Sequence, residues 1–170
     1  MHGIPHWSIS IALQAKGRIE AGVVYDPIKD EMFYAERGSG AFHRRQRLRV
    51  SGRINMETAC IAYGKPPSNN KSDHAQFMNE VSAVSSLSPM TRRMGSAALD
   101  LAYVAAGRLD GYWERGPHPW DLAAGYLLVK EAGGFITSID NREDPVFNRQ
   151  VLSGNEAVYN TLNKILKHKE

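Results

Sequence analysis

This 170-residue sequence is short of cysteine, of long apolar runs and of net charge, and each shortage excludes something. Its single cysteine, Cys60, rules out an internal disulfide, and a reducing cytoplasm is the expected setting. No apolar run is long enough for a membrane-spanning helix, so no membrane partner is expected. The opening residues, Met1-His2-Gly3-Ile4-Pro5-His6-Trp7, lack a basic stretch followed by an apolar block and do not read as a signal peptide. A net charge of +3 with a pI near 9.0 suits anionic substrates but is too small to imply nucleic acid. What is present is an ordinary folded-domain composition, 42% hydrophobic and 23% charged, at a length that can bury a core.

The first 50 residues read as an antiparallel meander. Trp7, Ile9, Ile11 and Leu13 alternate with small or polar residues, which predicts a strand with one buried face. Lys16-Gly17 turns the chain into a second alternating run, Ile19, Ala21, Val23 and Tyr25. Asp26 to Asp30 is a further turn, Glu31 to Glu36 a third strand, and Arg37 to Gly40 leads into Ala41-Phe42-His43. Such a sheet wants an amphipathic helix on it, and the residues before Trp7 supply none.

Beyond residue 57 the pattern changes. Thr58 to Tyr63 is an apolar strand, and Gly64 to Asn70 a polar loop. Asp73 can cap a helix bearing Phe77, Val81 and Val84, with His74 at the surface. Thr91 to Met94 is a short strand, followed by a helix with Leu99, Ala102, Tyr103 and Ala106 that closes at Gly107. Phe135 to Thr137 and Val151 to Ser153 are strands flanking a polar loop from Asp140 to Arg149. Asn155 caps a last helix carrying Val158, Leu162, Ile165 and Leu166. We therefore divide the chain into an antiparallel-sheet portion, residues 1–57, and α/β layers, residues 58–170.

Three stretches carry candidate chemistry. Arg44, Arg45, Arg47, Arg49 and Arg53 form a basic cluster. It reads either as a phosphate or nucleic-acid patch or as a solvated hairpin turn, and no interleaved aromatics favour stacking on bases. Gly95-Ser96-Ala97, between a strand and a helix, reads as an anion site on a helix N-terminus or as capping by Ser96. The stretch from Asp110 to Gly134 reads as strand, loop and helix, with Glu114 and Asp121 at the two edges of the loop. The pair is either a holder for a metal or polar substrate, or a helix cap beside a solvated strand end.

These motifs, taken together, resemble the inositol monophosphatases, Mg²⁺-dependent and lithium-sensitive phosphomonoesterases. The likeness rests on Trp120-Asp121-Leu122-Ala123-Ala124-Gly125 with Glu131-Ala132-Gly133-Gly134, and on Gly95-Ser96-Ala97-Ala98. It extends to His2-Gly3-Ile4-Pro5-His6, Gly22 to Pro27 with Glu31-Met32-Phe33, Gly38 to Phe42, and Ser153-Gly154-Asn155. It covers essentially the whole chain and implies a layered αβαβα sandwich, here in part: a truncated antiparallel sheet plus C-terminal α/β layers. By this resemblance Asp121 is a Mg²⁺ ligand, Glu114 accepts hydrogen bonds from inositol hydroxyls, and Gly95, Ser96 and Ala97 line the substrate pocket. His118 lies in the same loop without an assigned role. The implied substrate is a small phosphate ester such as inositol 1-phosphate, and the implied assembly a homodimer. Two alternatives stay within the superfamily: a fructose-1,6-bisphosphatase or 3′-phosphoadenosine phosphatase preference, and a non-catalytic role in RNA processing and transcription.

One part of the pattern is missing. The family's first metal motif, Asp-Pro-Ile/Leu-Asp-Gly-Thr, does not precede His2-Gly3 and occurs nowhere else in the sequence. The expectation is a C-terminal portion of such a protein. With one metal carboxylate it would lack a nucleophile-positioning motif and appreciable activity of its own, and its uncovered sheet would self-associate.

Overall fold

The structure, a computed structural model, describes residues 2–64, 71–140 and 144–167. Five strands form the first sheet in simple sequence order: β1 (Ile9–Ala15), β2 (Arg18–Asp26), β3 (Glu31–Glu36), β4 (Gly40–His43) and β5 (Gln46–Arg47). All pairings are antiparallel, and Ser10, Gly22, Ala35 and Phe33 lie on one face through the register Ser10↔Val24, Gly22↔Ala35 and Val24↔Phe33. The meander thus follows the glycine turns: Gly17 and Gly38 have positive φ, where a side chain would be strained.

A second sheet is mixed, in the order β7 (Met90–Arg92), β6 (Cys60–Tyr63), β8 (Gly111–Arg115), β10 (Gln150–Gly154) and β9 (Phe135–Thr137). β6 runs parallel to both β7 and β8, whereas β10 is antiparallel to β8 and β9. Between the sheets lie α2 (Ala97–Ala105) and α3 (Pro119–Glu131). On the far side of the second sheet lie α1 (Lys71–Ser85) and α5 (Glu156–Lys167).

The layers follow from what each face buries. One core joins Val24, Phe33, Ala35 and Ala41 of the first sheet to Leu99, Leu101, Leu127 and Leu128 of the two helices and to Tyr112 and Val151 of the second sheet. The other joins Ile61, Trp113 and Leu152 to Val84, Val158 and Leu162. Alternate residues of one strand therefore feed different cores, as the period of two requires. Two glycines permit the close approach of α3: a Cβ at Gly22 would sit 2.9 Å from the Ala124 Cα, and one at Gly125 would sit 2.5 Å from the Leu101 Cβ.

Several expectations change. β1 is a strand, but its apolar residues are not buried: Ile9, Ile11 and Leu13 are 47%, 63% and 60% exposed. In β2 Ile19 is buried, but from Gly22 onward the buried residues are Gly22, Val24 and Asp26, the face opposite Ala21, Val23 and Tyr25. The reason is tertiary: α3 packs where Gly22 lets it, and that selects the face. Asp73 lies within the first turn of α1, not before it. Within the expected polar loop at 140–149, Pro145–Asn148 is a short helix, α4, capped by the Asp144 side chain on the Val146 and Phe147 N–H groups. Residues 65–70 and 141–143 of the two expected loops lie outside the described residues. Thr58, expected to open a strand, ends a single 3-10 turn, Met56–Thr58, and β6 starts at Cys60. The stops and cap of three helices fall as expected: Gly107 and Gly133 have positive φ just past α2 and α3, and the Asn155 Oδ1 accepts from the Val158 N–H at 3.0 Å.

Candidate active site

β6, β7 and β8 are mutually parallel, and their carboxyl ends open on one cleft of about 570 Å³. Such ends are where ligands bind in α/β sheets, because the strands and the helices that follow leave a crevice there. Each strand end contributes: Gly64 after β6, Arg93 and Gly95-Ser96-Ala97 after β7, Glu114 near the end of β8. The remaining walls come from the segment entering β1, with His6 and Ser8, and from the start of α3, with His118, Trp120 and Asp121. All five residues singled out in the sequence, Gly95, Ser96, Ala97, Glu114 and Asp121, thus line one cleft.

Local chemistry sets each side chain. Ser96 is the N-cap of α2, its Oγ accepting from the Leu99 N–H at 3.4 Å and lying 3.3 Å from the Ser8 Oγ. Pro119 opens α3 at its first position, where its missing N–H costs nothing. Asp121 lies two residues on, and its Oδ2 accepts from the His118 N–H at 2.8 Å, so it caps the helix as well as lining the cleft. The loop between Glu114 and Asp121 is held from behind by Arg149, whose guanidinium donates to the Gly116 and Pro117 carbonyls at 2.7 and 3.2 Å. His118 stacks on the exposed Trp120 ring with centroids 4.4 Å apart.

Glu114 is set deeper. The Tyr112 hydroxyl donates to it, and Gly64 is glycine because a Cβ there would land inside the Glu114 carboxyl group. Burial raises the Glu114 pKa above the usual carboxylate range, and the Asp121 charge adds to this, while Tyr112 and Arg93 oppose it. A carboxylate that sequence reasoning missed stands in the same cleft. Asp100 lies on α2, is 1% exposed, and its Oδ1 has no hydrogen-bond partner. Burial, reinforced by the Glu114 charge, pushes its pKa up to about 8. The signal that could have found it is a lone carboxylate in the apolar run Ala97-Ala98-Leu99-Asp100-Leu101-Ala102. Carboxyls shifted by burial and by each other, gathered in one cleft, make it the candidate site for ligand chemistry.

The donor set does not by itself fit a magnesium ion. Among the described residues no group of three or more His, Cys, Asp or Glu side chains is arranged to hold a metal. Asp121 would offer a hard cation one carboxylate, already engaged by a backbone N–H, where six oxygens are wanted.

Elsewhere, the arginine cluster divides. Arg44 sits at φ 55° in the turn between β4 and β5, and Arg47 lies against Gly40. Arg53 pairs with buried Asp110 at 2.9 Å and donates to the Gly107 carbonyl. No helix among the described residues is long and apolar enough to cross a membrane.

The chain is similar to proteins whose sequences and structures are known. It is 48% identical over 167 residues to the inositol-1-monophosphatase of Mesorhizobium japonicum, covering 98% of this chain and 62% of that protein. It is 42% identical over 163 residues to the Nus factor SuhB of Pseudomonas aeruginosa, covering 95% and 60%. The crystal structure of the extragenic suppressor protein suhB from Bartonella henselae superposes with a TM-score of 0.94 at 47% identity, over 99% of this chain and 64% of that one. The chain therefore spans less than two thirds of the length of these relatives, and its fold is that of their layered α/β sandwich. The model of the inositol monophosphatase family matches residues 1–169, and with these likenesses it shows that the chain belongs to that family.

Proposed function

We propose that the cleft is the substrate-binding side of a Mg²⁺-dependent phosphomonoesterase site that takes a small phosphorylated polyol, inositol 1-phosphate. The observation that carries this reading is the convergence of Glu114, Gly95-Ser96-Ala97 and Asp121 in one cleft at the ends of three parallel strands. Glu114 accepts hydrogen bonds from the hydroxyls of the leaving alcohol, and the unpaired N–H groups at the start of α2 are turned to substrate oxygens. Asp121 supplies a carboxylate toward a metal that, when bound, would activate water and stabilise the leaving oxygen. Because the donor set falls short of a magnesium site, residues 1–170 alone turn over no appreciable substrate. The test is inositol 1-phosphate hydrolysis with Mg²⁺ by the purified chain, and a substrate panel on the chain joined to the segment its relatives have in addition. Turnover by residues 1–170 that Asp121→Ala abolishes would sink the inactivity, and an inert joined protein would sink the phosphatase reading. Preference within the panel for fructose 1,6-bisphosphate or 3′-phosphoadenosine phosphates would reassign the substrate.

A second reading is favoured by the name Nus factor carried by several relatives. In it the chain serves transcription through protein partners without catalysis. Binding to RNA polymerase that survives Asp121→Ala but is lost on replacing Arg44, Arg45, Arg47 and Arg49 would support it.

A further inference from the structure

We propose that the buried Asp100 carboxyl is a specificity-determining group of the cleft, hydrogen-bonding a hydroxyl of a polyol ligand. The proposal rests on the reading of the cleft as a polyol-phosphate site and adds to it a residue and a mode of recognition.

Asp100 is anomalous where it stands. It is the only charged residue of α2, among Leu99, Leu101, Ala102 and Val104, all buried. Its Oδ1 is buried without a hydrogen-bond partner, although the residue lines the cleft. An unsatisfied buried oxygen costs stability, so Asp100 does not serve the core it sits in. A buried carboxyl at the wall of a cleft, with an oxygen unserved by the protein, is suited to a partner that enters that cleft. His6 Nε2 is a second unpartnered buried atom lining the same space.

The surroundings select the partner's chemistry. The titratable groups that line the cleft with Asp100 are His6 from the segment entering β1, Arg93 before α2, Glu114 from β8, and His118 and Asp121 at the start of α3, and the charges of Glu114 and Asp100 both act on Tyr112. Two other carboxyl groups line the cleft, and burial with a pKa pushed up to about 8 keeps Asp100 protonated at neutral pH. A neutral carboxyl both donates and accepts one hydrogen bond, which is what an alcohol hydroxyl does in return. Glu114 already accepts from the Tyr112 hydroxyl, so an accepting carboxyl and a donating one stand in the same cleft, complementary to neighbouring hydroxyls on one ring. Gly95 and Ala97 leave room for that ring.

The experiment measures binding to residues 1–170 by heteronuclear NMR titration, with myo-inositol and inorganic phosphate as separate probes. At pH 6.5, Asp100→Leu is expected to weaken myo-inositol about tenfold or more while phosphate changes less than about twofold. Asp100→Asn, which keeps a donor and an acceptor, stays within about threefold of the parent for both. As pH rises through about 8, myo-inositol affinity falls in the parent and not in Asp100→Asn. Folding is followed by thermal unfolding, with its own sign. The unfolded Asp ionises near 3.8 and the folded one near 8, so the folded state holds more protons between them. Parent stability relative to Asp100→Asn therefore falls from pH 4 to pH 8. Should Asp100→Leu fail to fold, the pH profile of Asp100→Asn carries the test. Unchanged myo-inositol binding in Asp100→Leu, or equal pH profiles in parent and Asp100→Asn, overturns the proposal and leaves the phosphatase reading standing. A parent chain that binds neither probe overturns both.

Discussion

The two sheets of this protein differ in how completely they are covered. The second sheet has helices on both faces, and its central residues Trp113 and Leu152 are 1% and 0% exposed. Among the described residues the first has helices on one face only, and its other face presents Ile9, Ile11, Leu13, Met32 and Tyr34, all substantially exposed. The strand β1 is also an edge. The difference teaches that apolar alternation reports a strand's two faces but not what each meets. Stability resides where α2 and α3 knit the sheets together, and the site lies where the covered sheet ends.

That contrast can be broken from either side. Leu152→Ala, in the fully covered sheet, is expected to cost about 2–5 kcal/mol in urea unfolding, because it leaves a cavity in a closed core. A cost below about 1 kcal/mol would mean the layer around Trp113 is loosely packed. Gly22→Ala, at the seam between the first sheet and α3, inserts a methyl against the Ala124 backbone and should destabilise by about 1–3 kcal/mol. Loss of first-sheet amide protection before that of β8 would locate the strain there. Ile11→Lys, on the uncovered face, should change stability by less than about 0.5 kcal/mol. Its effect is on association: the parent should sediment as larger species at high concentration, and the lysine variant as a smaller one. A parent that stays monomeric would show that the open face is tolerated in water.

Much of this architecture was legible in the residues. Turn glycines and alternation located the strands of the meander, and the stop at Gly133-Gly134 closed α3 where it ends. Glu114, Asp121 and Gly95-Ser96-Ala97 were legible as one cleft only through the family resemblance, since spacing alone favoured helix capping. Capping is in fact part of what Ser96 and Asp121 do. Asp100 was not legible because a single carboxylate four residues into an apolar helix reads as a surface position. Its burial depends on α2 lying between two sheets. The helix at 145–148 escaped because one turn has no period to detect.

What the sequence by itself determined is local: where the chain turns, which runs alternate, where a glycine closes α2 and an asparagine caps α5. Those are properties of backbone sterics and near-neighbour hydrogen bonds. Only the tertiary structure decided which face of β2 is buried, because contact with α3 through Gly22 selects it. It alone brought Glu114, Asp121 and Asp100 to one cleft from three separate elements. It alone moved the carboxyl pKa values, because desolvation and the field of a neighbouring charge exist only once the layers have closed.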